Sequence, residues 1–214
     1  KFIIILILFA LFISCKKQIK DIKDEITVNL GYELNTIDPA LNDETYGFIY
    51  INHAFEGLLN KDINGNIVGG VAEKWEISDD SLTYTFHLRD DAKWSDGKKV
   101  TADDFVYSYR RAVDPKTASP ISYLMEYIKN AKDIIRGKQP VENLGVKAID
   151  ENTLTIELEA PTLYFTDILA SGGVYMPVRK DIIEKYGDDW TWKPETYIGN
   201  GAYKMVERKP DELL

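Results

Sequence analysis

An α/β fold is what this sequence predicts, on three observations. SLTYTFHLR (residues 81–89) alternates Leu82, Tyr84, Phe86 and Leu88 on one side with Thr83, Thr85, His87 and Arg89 on the other, as a half-buried strand does. TLTIELEAP repeats that pattern with Leu154, Ile156 and Leu158. Between the two lies FVYSYRRAV, introduced by Thr101 and Asp104 in capping-box spacing and closed by Asp114-Pro115, which is a helix with both ends marked.

The remaining elements follow in order. ITVNLGY (Ile26–Tyr32) places Ile26, Val28 and Leu30 on one strand face, and Asp38-Pro39 in NTIDPALND breaks it with a turn, leaving a polar loop suited to ligand contacts. Thr45 to Leu59 carries Phe48, Ile51, Phe55 and Leu58 at helical intervals. Asn64-Gly65 is a tight turn between short extended pieces. WEI pairs with SLTYTFHLR around Asp79-Asp80-Ser81, and Ser95-Asp96-Gly97 makes another turn. A second helix is expected over 121–136, with Leu124, Ile128, Ala131 and Ile135 inward and Gly137 past its end. GVKAI and TLTIELEAP form a hairpin around Asp150-Glu151-Asn152. Then come a helix from Leu163 to Ala170, SGGVYMP, a short helix RKDIIEKYG, the loop DDWTWKPETYIGNG and a strand AYKMV. Trp75, Tyr84, Phe86, Leu88 and Phe105 are the expected core of the hairpin-and-helix unit, with Trp94 and Tyr109 also inward.

The N-terminus is of another kind. Phe2 to Ile13 is twelve residues without a charge, which as a helix rises about 18 Å against a hydrocarbon core of about 30 Å. Lys1, this run and Ser14 have the layout of a secretory signal peptide. LFISC resembles the lipobox of bacterial lipoproteins, with Phe12 where leucine is commonest, so Cys15 is expected to become the acylated first mature residue. Several acyl chains on one residue anchor stably where one does not. Residues 16–25 then read as a solvated tether. Cys15 is the only cysteine, so no disulfide or cysteine-based metal site is expected.

The 200 residues after position 14 suffice for one sizeable core or two small ones. With 26 Lys+Arg against 35 Asp+Glu, a net charge of −9, a general affinity for nucleic-acid phosphates is not expected. Nor is catalysis. His53 and His87 are the only histidines, no HExxH or Walker loop occurs, and the acidic pairs at 79–80, 90–91, 103–104 and 188–189 fall in turns and helix starts where capping accounts for them. No catalytic residue, cofactor or metal is assigned.

GVAEKWEISDDSLTYTFHLRDDAKWSDGKKVTADDFVYSYRRAVDPKTASP (70–120) resembles the signature region of the extracytoplasmic solute-binding proteins that serve oligopeptide ABC transporters. FEGLLNKDINGNIVGGVAE before it, and DIIRGKQPVENLGVKAIDENTLTIELEAPTLYF and YIGNGAYKM after it, extend the likeness over residues 26–206. The resemblance implies a two-lobed, class II periplasmic-binding-protein-like fold. On this chain that means residues 26–54 and 171–214 as parts of an incomplete lobe I, 55–170 as an inserted accessory domain, and lobe II absent. It also implies a monomer that holds oligopeptides through their backbone and hands them to the permease of an ABC importer. The expected peptide-facing positions are Asn42, Asp43 and Thr45, then Ser171 and Gly172, then Asn200, while Ile121 stands where peptide-binding relatives often have tyrosine. The acidic partner of the peptide's amino group would lie beyond Leu214. Against this reading stand an envelope lipoprotein acting as an adhesin or inert relic, and a hydrolase.

Overall fold

The computed structural model describes residue 26 and residues 34–209. Cys15, the apolar leader and most of the strand expected at Ile26–Tyr32 lie outside the described residues.

Six strands and five α-helices are present among the described residues. They are α1 (Thr45–Ala54), β1 (Leu59–Lys61), β2 (Ile67–Gly69), β3 (Ala72–Ile77), β4 (Thr83–Leu88), α2 (Ala102–Val113), α3 (Ala131–Ile135), β5 (Val146–Ala148), β6 (Thr153–Glu157), α4 (Phe165–Leu169) and α5 (Lys180–Tyr186). β1 and β2 form a hairpin across Asn64-Gly65, where Gly65 has φ +84°. β3, β4, β6 and β5 make a four-stranded antiparallel sheet in that order. The alternation in the sequence sets its register: Phe86 faces Trp75 on one side and Leu154 on the other, and Tyr84 faces Ile77 and Ile156. Tyr84, Phe86, Leu88, Leu154 and Ile156 are thereby buried on one face, whereas Thr83, Thr85, His87, Thr153 and Thr155 lie on the other. Trp75 is only partly buried, because β3 is the edge strand.

Helix α2 covers the apolar face. Its capping box closes as the spacing requires: the Asp104 carboxylate accepts the Thr101 N–H at 2.8 Å, and Trp94 Nε1 donates to it at 3.3 Å. Phe105, Tyr109 and Ala112 are buried, with Tyr109 edge-on to Phe105 and to Tyr175. The Tyr109 hydroxyl is buried without a hydrogen-bond partner. An unmade buried bond costs about 1–3 kcal/mol. Tyr109→Phe is therefore expected to leave stability unchanged or raise it in urea melts; a clear loss would reveal a partner for that hydroxyl.

Where the chain departs from its local pattern, tertiary contacts explain it. The expected helix over 121–136 is instead a 3₁₀ turn (Ser122–Met125), a run of turns around a single β-bridge at Ile128, and α3. Ile128 bridges Leu158, Lys129 N–H bonds to Glu157 O at 2.9 Å, and Glu159 N–H to Tyr127 O at 2.9 Å, so this stretch is stitched to the end of β6. Asn130 at φ +66° then restarts the helix, and Ile134 rather than Ile135 is fully buried. The helix expected to reach Leu59 stops at Ala54, because the last carbonyls of α1 are taken from outside: Ala54 O accepts from Gly201 N–H and His53 O from Tyr203 N–H, both at 2.9 Å. The approach demands glycine, since a Cβ on Gly199 would sit 1.9 Å from Ala54 O. AYKMV, expected as a strand, is an irregular segment whose Tyr203 N–H is bonded to this helix end. The helix from Leu163 is shortened to Phe165–Leu169, with Leu163 exposed.

Arg179, 5% exposed, joins the Ser95–Gly97 turn to α5: it bonds Asp96 at 2.9 Å and Asp181 at 2.6 and 2.8 Å, and its guanidinium lies 5.7 Å from the Trp94 ring centre. Hydrogen bonding to Arg179 holds the Asp181 carboxyl down to about 2. Burial works against the charge of Asp96, but the same guanidinium keeps its pKa below the ordinary value. A carboxyl depressed in the folded state contributes stability above its unfolded pKa of about 3.9, and that contribution is lost as pH falls toward 2. The parent is thus expected to lose more stability between pH 4 and 2 than Arg179→Gln, measured by thermal melts. Equal losses would mean that solvent screens the cluster.

Candidate functional site

The residues expected to face ligand are distributed along one helix. Asn42, Asp43 and Thr45 stand at the N-terminal end of α1, with Asp43 and Thr45 exposed. Gly172 and Gly173 lie beside its middle, where a Cβ on Gly173 would be 2.9 Å from the Phe48 ring. Ser171 is exposed next to them. Asn200 is at the C-terminal end, 7% exposed, and its amide holds the chain leaving the helix: Oδ1 accepts from Glu56 N–H at 3.0 Å and Nδ2 donates to Glu56 O at 2.9 Å. Its geometry is that of a helix-end clamp. Asn42 is likewise buried, donating from Nδ2 to Glu44 O at 2.9 Å, while its Oδ1 lies against Gly47 with no hydrogen-bond partner. The exposed polar side chains at this end are therefore those of Asp43, Thr45 and Ser171.

The loop before α1 belongs to no sheet among the described residues, yet it is held tightly. Asp38 is 2% exposed and accepts four hydrogen bonds. Oδ1 takes Ala40 N–H at 2.9 Å and Arg111 Nη1 at 2.9 Å; Oδ2 takes Arg111 Nη2 at 2.6 Å and Trp190 Nε1 at 3.0 Å. Burial opposes the charge on Arg111, and the bonds to Asp38 more than offset it, raising its pKa. Asp38 O receives Leu41 and Asn42 N–H at 3.0 and 2.9 Å. Tyr197 donates to Ile37 O at 2.8 Å and stacks on Trp190; Ser119 donates to Ala40 O at 2.5 Å. Sequence reading took Asp38-Pro39 as a turn and missed these partners. The one local signal was an acid in an otherwise apolar-flanked turn, and its cation lies 73 residues away.

Ile121 is partly buried just after Ser119, which brings the TASP segment beside the loop. The histidines lie elsewhere: His53 Nδ1 bonds Ile49 O at 2.7 Å, and His87 Nε2 is 3.6 Å from Glu76 on the polar sheet face without a hydrogen-bond partner. Among the described residues no cluster of metal-ligating side chains occurs, and no helix is long and apolar enough to cross a membrane.

The chain is similar to known proteins over most of its length. The chain is 45% identical over 185 residues to the periplasmic oligopeptide-binding protein OppA of Salmonella typhimurium, covering 86% of this chain and 34% of that protein. It is also 45% identical over 181 residues to the probable deoxycholate-binding periplasmic protein YgiS of Escherichia coli, covering 84% of this chain and 34% of the relative. The crystal structure of Haemophilus influenzae OppA in complex with RPPGFSPFR matches with a TM-score of 0.81 at 40% identity, over 86% of this chain and 36% of that one. The chain thus spans about a third of the length of these relatives. Residues 66–214 match the profile of the bacterial extracellular solute-binding proteins, family 5, and with this likeness running through sheet, α2 and the segment around Trp190, the chain belongs to that family.

Proposed function

We propose that the full-length protein is an extracytoplasmic receptor, acylated at Cys15, that captures oligopeptides and delivers them as a monomer to the permease of an ABC importer, without catalysis or cofactor. The observation that carries this reading is the likeness, over 86% of this chain, to a relative crystallised with the peptide RPPGFSPFR. A loop with exposed Asp43 and Thr45, leading into the N-terminal end of α1, suits the amides of an extended peptide. Residues 55–170 stand in this reading as the accessory unit beside the ligand lobe, and 26–54 with 171–214 as parts of lobe I. The likeness to YgiS motivates a second reading, in which the ligand is a deoxycholate-like amphiphile.

One set of measurements separates these. Isothermal titration of the full-length protein with a pool of tri- to pentapeptides is expected to give saturable heat, and deoxycholate none. The reverse result would favour the second reading, and silence with both would favour the adhesin or relic. Cys15→Ala is expected to move the protein from the membrane to the soluble fraction. Retention of the variant on membranes, with no fatty acid labelled on the parent, would refute the anchor.

A further inference from the structure

We infer that Asp38 and Arg111 are positioning residues for ligand capture. Through them helix α2 of the accessory unit sets the geometry of the loop that presents Asp43 and Thr45. This rests on the peptide-binding reading above. The loop has four side-chain anchors, and two of them, Arg111 and Ser119, come from the segment 102–119. The others, Trp190 and Tyr197, come from the far side of the chain. The four hydrogen bonds to the Asp38 carboxylate use the full acceptor capacity of its two oxygens. Because the Leu41 and Asn42 N–H groups are bonded to the Asp38 main-chain O, a shift of the Asp38 main chain carries through Asn42 toward Asp43 and Thr45. The loop's own bonds are local: Asp38 N–H to Thr36 Oγ1 at 3.1 Å, Asn35 Nδ2 to Glu44 Oε1 at 3.0 Å and Asn42 Nδ2 to Glu44 O at 2.9 Å. Its backbone is paired with no strand among the described residues, so its placement against the rest of the protein depends on the four anchors. Asparagine at 38 has the right shape, but its NH₂ would meet N–H donors on every side.

The test uses the full-length protein with Asp38→Asn, Arg111→Gln and their combination. Arg179→Gln is the control: it breaks another buried guanidinium cluster, whose bonds go to Asp96 and Asp181 and not to the loop. Three readouts are taken, namely peptide Kd, Tm, and hydrogen exchange at Ala40–Asn42 against that of α2. Asp38→Asn and Arg111→Gln are expected to weaken peptide binding about tenfold. The double variant should bind no worse than either single one, because the two residues act as a unit. Exchange should quicken at Ala40, Leu41 and Asn42 while α2 stays protected. Arg179→Gln should lower Tm with Kd held within about twofold. Unchanged affinity in Asp38→Asn, or an equal affinity loss in Arg179→Gln for the same fall in Tm, overturns the inference. If the parent binds no peptide, the functional reading fails, and the exchange contrast alone then decides the positioning role. Should Asp38→Asn not fold, Arg111→Lys keeps the charge but loses the paired geometry, and carries the same readouts.

Discussion

Asp38→Ala is expected to cost about 3–5 kcal/mol of folding stability, because it removes one partner of a buried ion pair and leaves the other charged. The Asp38 and Arg111 side chains are 3% and 12% exposed, so water cannot replace the lost carboxylate without opening the loop. Trp190 Nε1 and the Ala40 N–H lose their acceptor in the same step. The loss is specific to leaving a charge behind. Asp38→Ala with Arg111→Met should therefore cost less than the sum of the single changes, the coupling that a double-mutant cycle measures in urea melts. A loss below about 1 kcal/mol would place the pair in the range of solvent-exposed bridges and remove the physical basis of the clamp.

Phe86→Ala is expected to be comparably severe, at about 3–5 kcal/mol, for a different reason. Phe86 is at 0% exposure at the centre of the sheet, flanked across strands by Trp75 and Leu154 and stacked on Tyr84 with ring centres 6.3 Å apart. Truncation leaves a cavity in a layer roofed by α2, where the main chain of four strands cannot collapse to fill it. Thr85, one residue away, points to the opposite face and is partly exposed. Thr85→Ala should change stability by no more than about 0.5 kcal/mol. Equal effects at 85 and 86 in denaturant melts would contradict the strand register.

The contrast between these two positions marks what could be read in advance. Phe86 is legible because a strand's period of two is local: the residues that alternate in SLTYTFHLR are the residues that alternate in space. Asp38 is not, because the residue that makes it indispensable is on another element, and an acid before proline reads equally well as a turn former. Of the positions expected to face ligand, Asp43, Thr45 and Ser171 keep free polar groups, and their fitness for peptide stands as a proposal. Asn200 offers amide chemistry that a backbone clamp also uses, and its two bonds go to Glu56, 144 positions away.

The sequence by itself determined the hairpins, the capped helix Ala102–Val113 and the apolar face of the sheet. Each depends on side-chain periodicity, turn chemistry or capping within a few residues. The tertiary structure alone decided where α1 stops, why 121–136 is broken and what AYKMV does. In each of these the backbone N–H and C=O groups had two possible sets of partners, one local and one distant, and the distant set won. Ala54 and His53 gave their carbonyls to Gly201 and Tyr203, and Tyr127 and Lys129 paired with Glu159 and Glu157. A chain's own periodicity can say that a backbone group will be bonded, but not to whom when the competitor lies far along the chain.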